Sequence, residues 1–306
     1  MNYEENLLFK IAYYYYFEGL TQQSIADLLS ISRIRVLRGL EKARDTGIIQ
    51  FKMRKDPSFN IEFEQKLKER FKLKDVFVAP DAPTKEGANA NVAKAAALYI
   101  NDRLKNGDHI NVGYGNTSRH LLNSLATMVE TPISCISLTG GVSCYLPDTR
   151  SQKFNVNLNL IPAPLLASSA KMAEAIRNED SVVEIFRMAP LATLTVVGIG
   201  GLHEESTIFS TGILGKNDMT YLKMKGAVGD ILSHFLDKDG NPVPSSVEER
   251  LISISLDKLK EFQNVVGVAA GENKVPAIKS ALRGQYINVL ITDTTTARLL
   301  LEDDNE

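Results

Sequence analysis

Four glycine-containing segments could support anion binding, because each follows an apolar stretch and supplies backbone N–H groups without a side chain in the way. Two of them run into a helical pattern, whose positive N-terminal end favours an anion. Tight turning would explain any one of these segments, but four at strand ends indicate a phosphorylated small ligand. The residues expected to contact it are Gly113, Gly115, Asn116, Thr117, Thr139, Gly140, Gly141, Gly200 and Lys274.

Asp230, in the segment GAVGDIL, is a separate candidate for ligand binding. A carboxylate can accept hydrogen bonds from two sugar hydroxyls at once, although a helix N-cap is an alternative role for this residue. The four histidines show no metal-ligand spacing, and no nucleophile elbow, Walker motif or HExxH motif occurs. We therefore expect no metal, no cofactor and no catalytic residue.

A second constellation lies near the N-terminus, in the segment TQQSIADLLSISRIRVLR (21–38). Its apolar spacing predicts two short helices joined by a tight turn, with Thr21 and Ser32 as N-caps. Arginine in the first turns of the second helix could bind guanine or phosphate with two hydrogen bonds. The candidate DNA-binding residues are Gln22, Gln23, Ser32, Arg33, Arg35, Arg38 and Lys52.

Charge supports this interpretation. The whole chain of 306 residues has a net charge of only −2, so any affinity for nucleic acid must be local. Between Arg33 and Lys55, eight Lys or Arg residues face two acidic residues. The N-terminus lacks a signal-peptide pattern, and no apolar run approaches the ~18 residues that span a bilayer. We expect a cytoplasmic protein with no membrane partner.

The pattern of elements predicts where these residues meet. Strand candidates are 75–79, 109–113, 133–138, 158–161, 194–199, 265–270 and 289–293, and helix candidates are 91–105, 118–128, 169–178, 181–187, 275–283 and 295–302. This alternation indicates an α/β fold with a mostly parallel sheet, in which ligands bind beyond the C-terminal strand ends. We expect a winged helix-turn-helix domain over 1–55, with a wing strand at 48–53. A linker and connecting helix over 56–72 and an effector domain over 73–306 would follow.

The motifs GYGNT, LTGG, VGIGG, KGAVGDIL, VAAGENKVPAIKSAL and YINVLITDTTTA occur in this order behind the N-terminal segment. Together they resemble the SorC/DeoR-type bacterial sugar-responsive transcriptional regulators over essentially the whole chain. The stretch NLIPAPLLASSAKMAEAI and AGENK are most similar to the Lsr repressor branch, whose ligand is a phosphorylated quorum-signal sugar.

The resemblance implies a winged helix-turn-helix and a sensor domain similar to sugar-phosphate isomerases and glucosamine-phosphate deaminases. It also implies dimers that assemble into tetramers, and release from operator DNA when a phosphosugar binds. The family pattern gives ligand contacts to Asp230 and Lys274. Thr139 stands where some relatives have an imine-forming lysine, so we expect non-covalent binding. The segment 142–157 is shorter than in many members, and Arg150 is a candidate phosphate contact there.

Two functions are compatible with these observations. The first is a DNA-binding transcriptional regulator of a carbohydrate operon, with repression favoured over activation, which acts through operator DNA, a phosphorylated sugar-like effector and a homo-oligomer. The alternative is a sugar-phosphate isomerase or deaminase with an accessory nucleic-acid module. Isomerisation needs a placed general base, and no Asp, Glu or His pair is spaced for one.

Overall fold

The computed structural model describes residues 3–49, 60–84, 87–142, 145 and 156–302. The chain divides into two compact units, Met1–Asp56 and Pro57–Glu306, which we call the head and the effector unit. Of the residues singled out from the sequence, Lys52 and Arg150 lie outside the described residues.

The head contains three helices, α1 (Tyr3–Tyr16), α2 (Gln22–Leu29) and α3 (Arg33–Asp45). The predicted caps are present: the Thr21 hydroxyl accepts from the Ser24 N–H, and the Ser32 hydroxyl accepts from the Arg35 N–H. Between the two helices, Ser30 adopts a left-handed conformation that ends α2. The buried residues Ile11, Ile25, Ala26, Val36 and Leu40 form one core across all three helices.

Gly39 lies inside α3, where glycine costs helix stability, and the packing of α1 explains it. A β-carbon at Gly39 would lie 2.7 Å from Cδ1 of Ile11, so a larger residue there would require the Ile11 side chain or α1 to shift. Beyond α3, Ile48 and Ile49 form a bend that packs against buried residues of α1 and α3. The rest of the predicted wing strand, 50–53, lies outside the described residues.

The effector unit is an α/β structure. Its strands are β1 (Asp75–Ala79), β2 (His109–Val112), β3 (Ile133–Ser137), β4 (Val156–Asn159), β5 (Leu194–Gly201), β6 (Ala227–Ile231), β7 (His234–Asp237), β8 (Val265–Val268) and β9 (Val289–Asp293). Its helices are α4 (Ile61–Phe71), α5 (Ala88–Asn101), α6 (Asn116–Met128), α7 (Ala170–Arg177), α8 (Asp180–Met188), α9 (Thr207–Ser210), α10 (Lys216–Met224), α11 (Ser246–Arg250), α12 (Leu256–Glu261), α13 (Val275–Arg283) and α14 (Thr294–Leu301). Two short 3₁₀ turns, Ala189–Leu191 and Glu272–Lys274, complete the description.

Seven strands form a parallel sheet in the order β1-β9-β8-β5-β2-β3-β4. Neighbouring residues of one strand enter different cores: Val265 of β8 packs with α4, α12, α13 and α14, whereas Val266 packs with α5 and α6. Helices therefore cover both faces, which is why a strand such as β8 is buried and apolar along its whole length. The chain leaves β2 toward β3 and leaves β5 toward β8, so the topology switches direction between β2 and β5.

One feature of the sheet differs from the sequence prediction. The segment around Asp230 is strand β6, which pairs antiparallel with the end of β5 and with β7. The alternative role for Asp230 as a helix N-cap is therefore wrong. Helix α4, expected as a connecting helix, packs its buried Leu67 into the core of the effector unit.

Candidate functional site

A cleft opens at the switch point of the sheet, beyond the C-terminal ends of β2, β5 and β8. Six residues singled out from the sequence line it: Gly115, Asn116, Thr117, Gly200, Asp230 and Lys274. The remaining lining residues are Asn89, Tyr114, Gly198, Ile199, His203, Glu205, Ser206, Thr207, Ile208 and Ser233. Switch-point clefts are where open α/β sheets bind ligands, so the fold and the residue chemistry indicate the same place.

Lys274 brings a buried cation into the cleft. It closes the 3₁₀ turn after Gly271, whose φ of +119° only glycine adopts readily, and it is only 7% exposed. Its Nζ donates a hydrogen bond of 2.7 Å to Oδ1 of Asn89 at the start of α5. Burial lowers the pKa of Lys274 to about 8, while Asp230 acts in the opposite direction. The ammonium retains donors for a ligand, because a lysine has three and Asn89 uses one.

Asp230 is held by the β6–β7 hairpin. The turn consists of Leu232 and Ser233, both with positive φ (54° and 66°), and the Ser233 N–H donates to Oδ2 of Asp230 at 3.1 Å. Burial raises the pKa of Asp230 to about 6, and the bond from Ser233 and the nearby Lys274 and His234 oppose this shift. Positive φ at two non-glycine residues is a strained arrangement that the surrounding packing must maintain.

Asp230 and Lys274 are complementary across the cleft. Each favours the charged form of the other, yet within the described ranges they make no ion pair at 4.0 Å or less. Two partly desolvated opposite charges that do not touch can both be satisfied by a polar ligand between them. The carboxylate can accept from hydroxyls, and the ammonium can donate to an anionic or hydroxyl oxygen.

The N-terminus of α6 lines one part of the cleft. Gly115 precedes the helix with a φ of +123° and provides no side-chain cap. The N–H of Asn116 donates to the hydroxyl of Thr207 at 3.1 Å, and Thr117 is buried directly after it. A ligand anion at this helix end would replace the Thr207 hydroxyl, and the helix dipole would favour the exchange.

His203 completes the rim of the cleft. Its Nε2 lies 3.1 Å from Nδ2 of Asn273, which can donate to it when the ring is neutral. Burial, followed by the charge of Lys274, lowers the pKa of His203 below its ordinary value, and Glu205 partly opposes this. These effects favour the neutral ring, which offers a ligand polar contacts without adding a charge.

Four residues expected to contact the ligand do not line the cleft: Gly113, Thr139, Gly140 and Gly141. The structure gives them packing roles. A β-carbon at Gly140 would lie 2.2 Å from the carbonyl oxygen of Pro164, and one at Gly113 would lie 2.7 Å from Cδ2 of Leu232. Thr139 is fully buried, with its hydroxyl 2.6 Å from that of Tyr145. Contact between these four residues and a ligand stays a prediction from the sequence.

The candidate DNA-binding residues that the structure describes lie on α2, on α3 or at the N-cap of α3. Arg33, Arg35 and Arg38 are exposed on α3, and Ser32 uses its hydroxyl to cap that helix. Gln23 is exposed and donates to Asp27 at 2.9 Å, while Gln22 is half-buried. These positions give the head an arginine-bearing surface of the kind that contacts a nucleic-acid backbone.

Among the described residues, no group of three or more His, Cys, Asp or Glu side chains could hold a metal ion. No helix formed by these residues is long and apolar enough to cross a bilayer.

Comparison with known proteins places the chain among regulators. Residues 55–302 match the family model described as "Putative sugar-binding domain". The transcriptional regulator LsrR of Klebsiella pneumoniae is 35% identical, over 97% of this chain and 93% of its own length. LsrR of Escherichia coli K12 is 34% identical over 97% and 95%. The crystal structure of the full-length sorbitol operon regulator SorC of K. pneumoniae is 28% identical, covers 97% of this chain and 99% of its own, and superposes with a TM-score of 0.66.

Proposed function

We propose that a phosphorylated sugar-like effector binds in the cleft, since this chain belongs to the sugar-binding domain family of transcriptional regulators that includes LsrR and SorC. The observation that carries this proposal is the separation of Asp230 and Lys274, a half-buried anion and a buried cation that line one cleft without pairing. Sugar phosphates combine hydroxyl groups with a dianion, which is the chemistry that this pair of charges can bind.

The cleft suggests a role for each group. The N-terminus of α6, with Gly115, Asn116 and Thr117, takes the phosphate. Asp230 accepts from the sugar hydroxyls, and Lys274 donates to the phosphate or to a hydroxyl oxygen. Binding is non-covalent, and Asn89 holds the Lys274 ammonium in place through its hydrogen bond.

In this proposal the head binds operator DNA through α3. Its exposed arginines and its cap by Ser32 support that role. The full chain acts as a repressor in a dimeric or tetrameric assembly, since paired heads suit a symmetric operator. The effector regulates DNA binding by population shift, which requires that it bind the DNA-incompetent arrangement more tightly than the competent one.

The experiment that tests this function uses the full chain. Random duplexes are selected for binding, and the enriched duplex is then titrated by fluorescence anisotropy in the presence of pentose, hexose and polyol phosphates. We expect at least one of these ligands to lower the affinity for the duplex, whereas the matching unphosphorylated sugar does not. Failure to enrich any duplex, or no response to any phosphate, would contradict the proposal.

One observation keeps an enzyme as the second candidate. A carboxyl with a pKa of about 6, such as that of Asp230, could act as a general base near neutral pH. The same ligand mixtures should therefore be analysed by mass spectrometry after incubation. Turnover of a sugar phosphate, combined with DNA binding that ignores it, would favour the isomerase or deaminase function.

A further inference from the structure

Helix α3 presents an apolar centre to the outside of the head. Its buried residues are Val36, Gly39, Leu40 and Ala43. At about 100° per residue, the mean direction of those four lies within about 10° of opposite to Ile34. Ile34 therefore marks the middle of the outward face.

The exposed fractions agree with this geometry. Ile34 is 64% exposed and Leu37, one turn further, is 43% exposed. Both side chains belong to the same outward stripe, since Leu37 lies about 60° from Ile34 around the helix axis. Two branched apolar side chains side by side on a small head are costly to leave in water, which points to a partner surface that covers them.

Cationic side chains flank this apolar centre. Arg33 and Arg35 project about 100° to either side of Ile34, and Arg38 lies about 40° from it. Glu41, the acidic residue on this face, is two turns further along, roughly 10 Å from Ile34 along the axis. The first two turns thus place Ile34, Leu37 and Arg38 on the middle of the outward face, with Arg33 and Arg35 at its two edges.

That combination matches the major groove at thymines. The floor of the groove presents the C5-methyl group of thymine, and the walls are the phosphates. A groove-bound helix contacts bases with the middle of its outward face and phosphates with its edges. A protein partner could also cover apolar residues, but flanking arginines favour a polyanion.

We propose that Ile34, together with Leu37, reads thymine methyl groups in the operator, while Arg33 and Arg35 bind the adjacent phosphates. The inference rests on the proposed DNA-binding function and names the base chemistry that the head selects. It also narrows the expectation for Arg35, which the sequence alone left open between a base contact and a phosphate contact.

The test removes the methyl group from the DNA. The full chain and its Ile34→Ala variant are titrated against the selected duplex, in which each thymine is replaced in turn by uracil. At one or two thymines the unmodified chain should lose about fourfold in affinity, which corresponds to ~0.8 kcal/mol for one buried methylene-sized group. Ile34→Ala should bind the thymine duplex more weakly and should not distinguish thymine from uracil at those positions.

Leu28→Ala is the matched control, because Leu28 is an apolar residue of α2 that is 56% exposed and lies outside the proposed stripe. It should retain the full preference for thymine over uracil. Ile34→Val, which keeps an apolar contact, should retain part of it, and circular dichroism of each variant should show unchanged helix content.

The outcomes separate this inference from the proposed function. If no duplex is enriched, the DNA-binding function itself fails. The inference alone is overturned if a duplex is enriched but contains no thymine that the chain distinguishes from uracil. It is also overturned if Ile34→Ala shows the same preference as the unmodified chain at every thymine.

Discussion

Gly200 lies directly across the β5–β6 pair from Asp230, and a β-carbon there would lie 2.1 Å from Oδ1 of that carboxylate. Because Gly200 has no side chain, the Asp230 carboxylate can occupy its place in the cleft. The position of the Asp230 carboxylate therefore depends on the glycine opposite to it.

Gly200→Ala should therefore displace the Asp230 carboxylate and weaken effector binding by about 1.5–3 kcal/mol, the value of a hydrogen bond to a charged group. DNA binding without effector should be unchanged. Isothermal titration calorimetry with the active sugar phosphate measures the loss. Gly215→Ala is the matched control, because a β-carbon there meets Oδ2 of Asp218 at an ordinary 3.7 Å and the residue does not line the cleft. Equal effects of both variants would argue against this geometry.

Lys274→Ala should abolish the effector response while leaving the affinity for DNA intact. The loss should be about 1.5–3 kcal/mol in effector affinity, since a charged donor is removed from a buried site. Lys279→Ala provides the comparison, because Lys279 is equally buried at 7% but donates to the carbonyl oxygen of Glu302 outside the cleft. Loss of DNA binding in Lys274→Ala would instead indicate a structural lysine.

Effector affinity should be highest between about pH 6 and 8, where Asp230 and Lys274 are both charged. The sugar phosphate also titrates near pH 6, so calorimetry from pH 5 to 9 should compare the unmodified chain with Asp230→Asn and Lys274→Gln. In Asp230→Asn, the part of the loss of effector affinity at acidic pH that is due to Asp230 should disappear. In Lys274→Gln, the loss of effector affinity at alkaline pH should disappear. Identical pH profiles in all three proteins would contradict this assignment.

The same shifts affect folding, with opposite signs. The folded-state pKa of Asp230 is raised from 3.8 to about 6, so its contribution to the stability falls as the pH rises through that window. The pKa of Lys274 is lowered from 10.5 to about 8, so its contribution rises as the pH increases from 8 to 10.5. Asp230→Asn should remove the acidic part of this dependence in thermal unfolding scans.

Gly39→Ala should destabilise the head by about 1 kcal/mol, because overpacking against Ile11 outweighs the gain in helix propensity. Ile11→Val removes the Cδ1 atom that an alanine at 39 would meet, so the same Gly39→Ala change should cost nothing when it is combined with Ile11→Val. Hydrogen–deuterium exchange of the α1–α3 peptides measures the stability of the head separately from that of the effector unit. A stabilising Gly39→Ala in the unmodified chain would show that α1 gives way.

Arg35→Ala should weaken binding to all duplexes by a similar factor, because Arg35 lies on the flank of the outward face. Loss of one phosphate contact reduces the slope of log affinity against log salt by about 0.9. Arg35→Lys should retain most of that slope, since it keeps the charge. A loss of about 1–3 kcal/mol confined to one base pair would restore Arg35 as a base reader.

The parallel sheet could be predicted from the sequence because its strands are buried on both faces. Strands β8 and β9 are entirely buried, β8 is an apolar run and β9 begins with three apolar residues, and both fall within the predicted ranges. The β6–β7 hairpin could not be predicted this way. It carries the polar Asp230, and its two-residue turn contains Leu232 and Ser233 where a glycine or asparagine would have signalled it.

Residues of the candidate site could be predicted from the sequence only where they belong to a short motif. The glycine turn before α6 identified the helix end, and the family pattern singled out Asp230 and Lys274. Asn89 and Thr207 could not be predicted, because their contacts in the cleft are tertiary. Asn89 is 185 residues from its partner Lys274, and Thr207 is 91 residues from its partner Asn116. Neither lies in a motif, so no short-range pattern could reveal that one supports an ammonium and the other occupies a helix N-terminus.

The bond between Lys274 and Asn89 has a consequence for biosynthesis. Helix α3, which carries the proposed DNA-binding arginines, ends at Asp45, so it leaves the ribosome long before Lys274 has been made. At bacterial rates of ~5–20 residues per second this interval lasts roughly 10–45 s. During it, and permanently in any chain truncated before Lys274, helix α3 exists without a complete cleft. Under the proposed function, such chains should not respond to the effector.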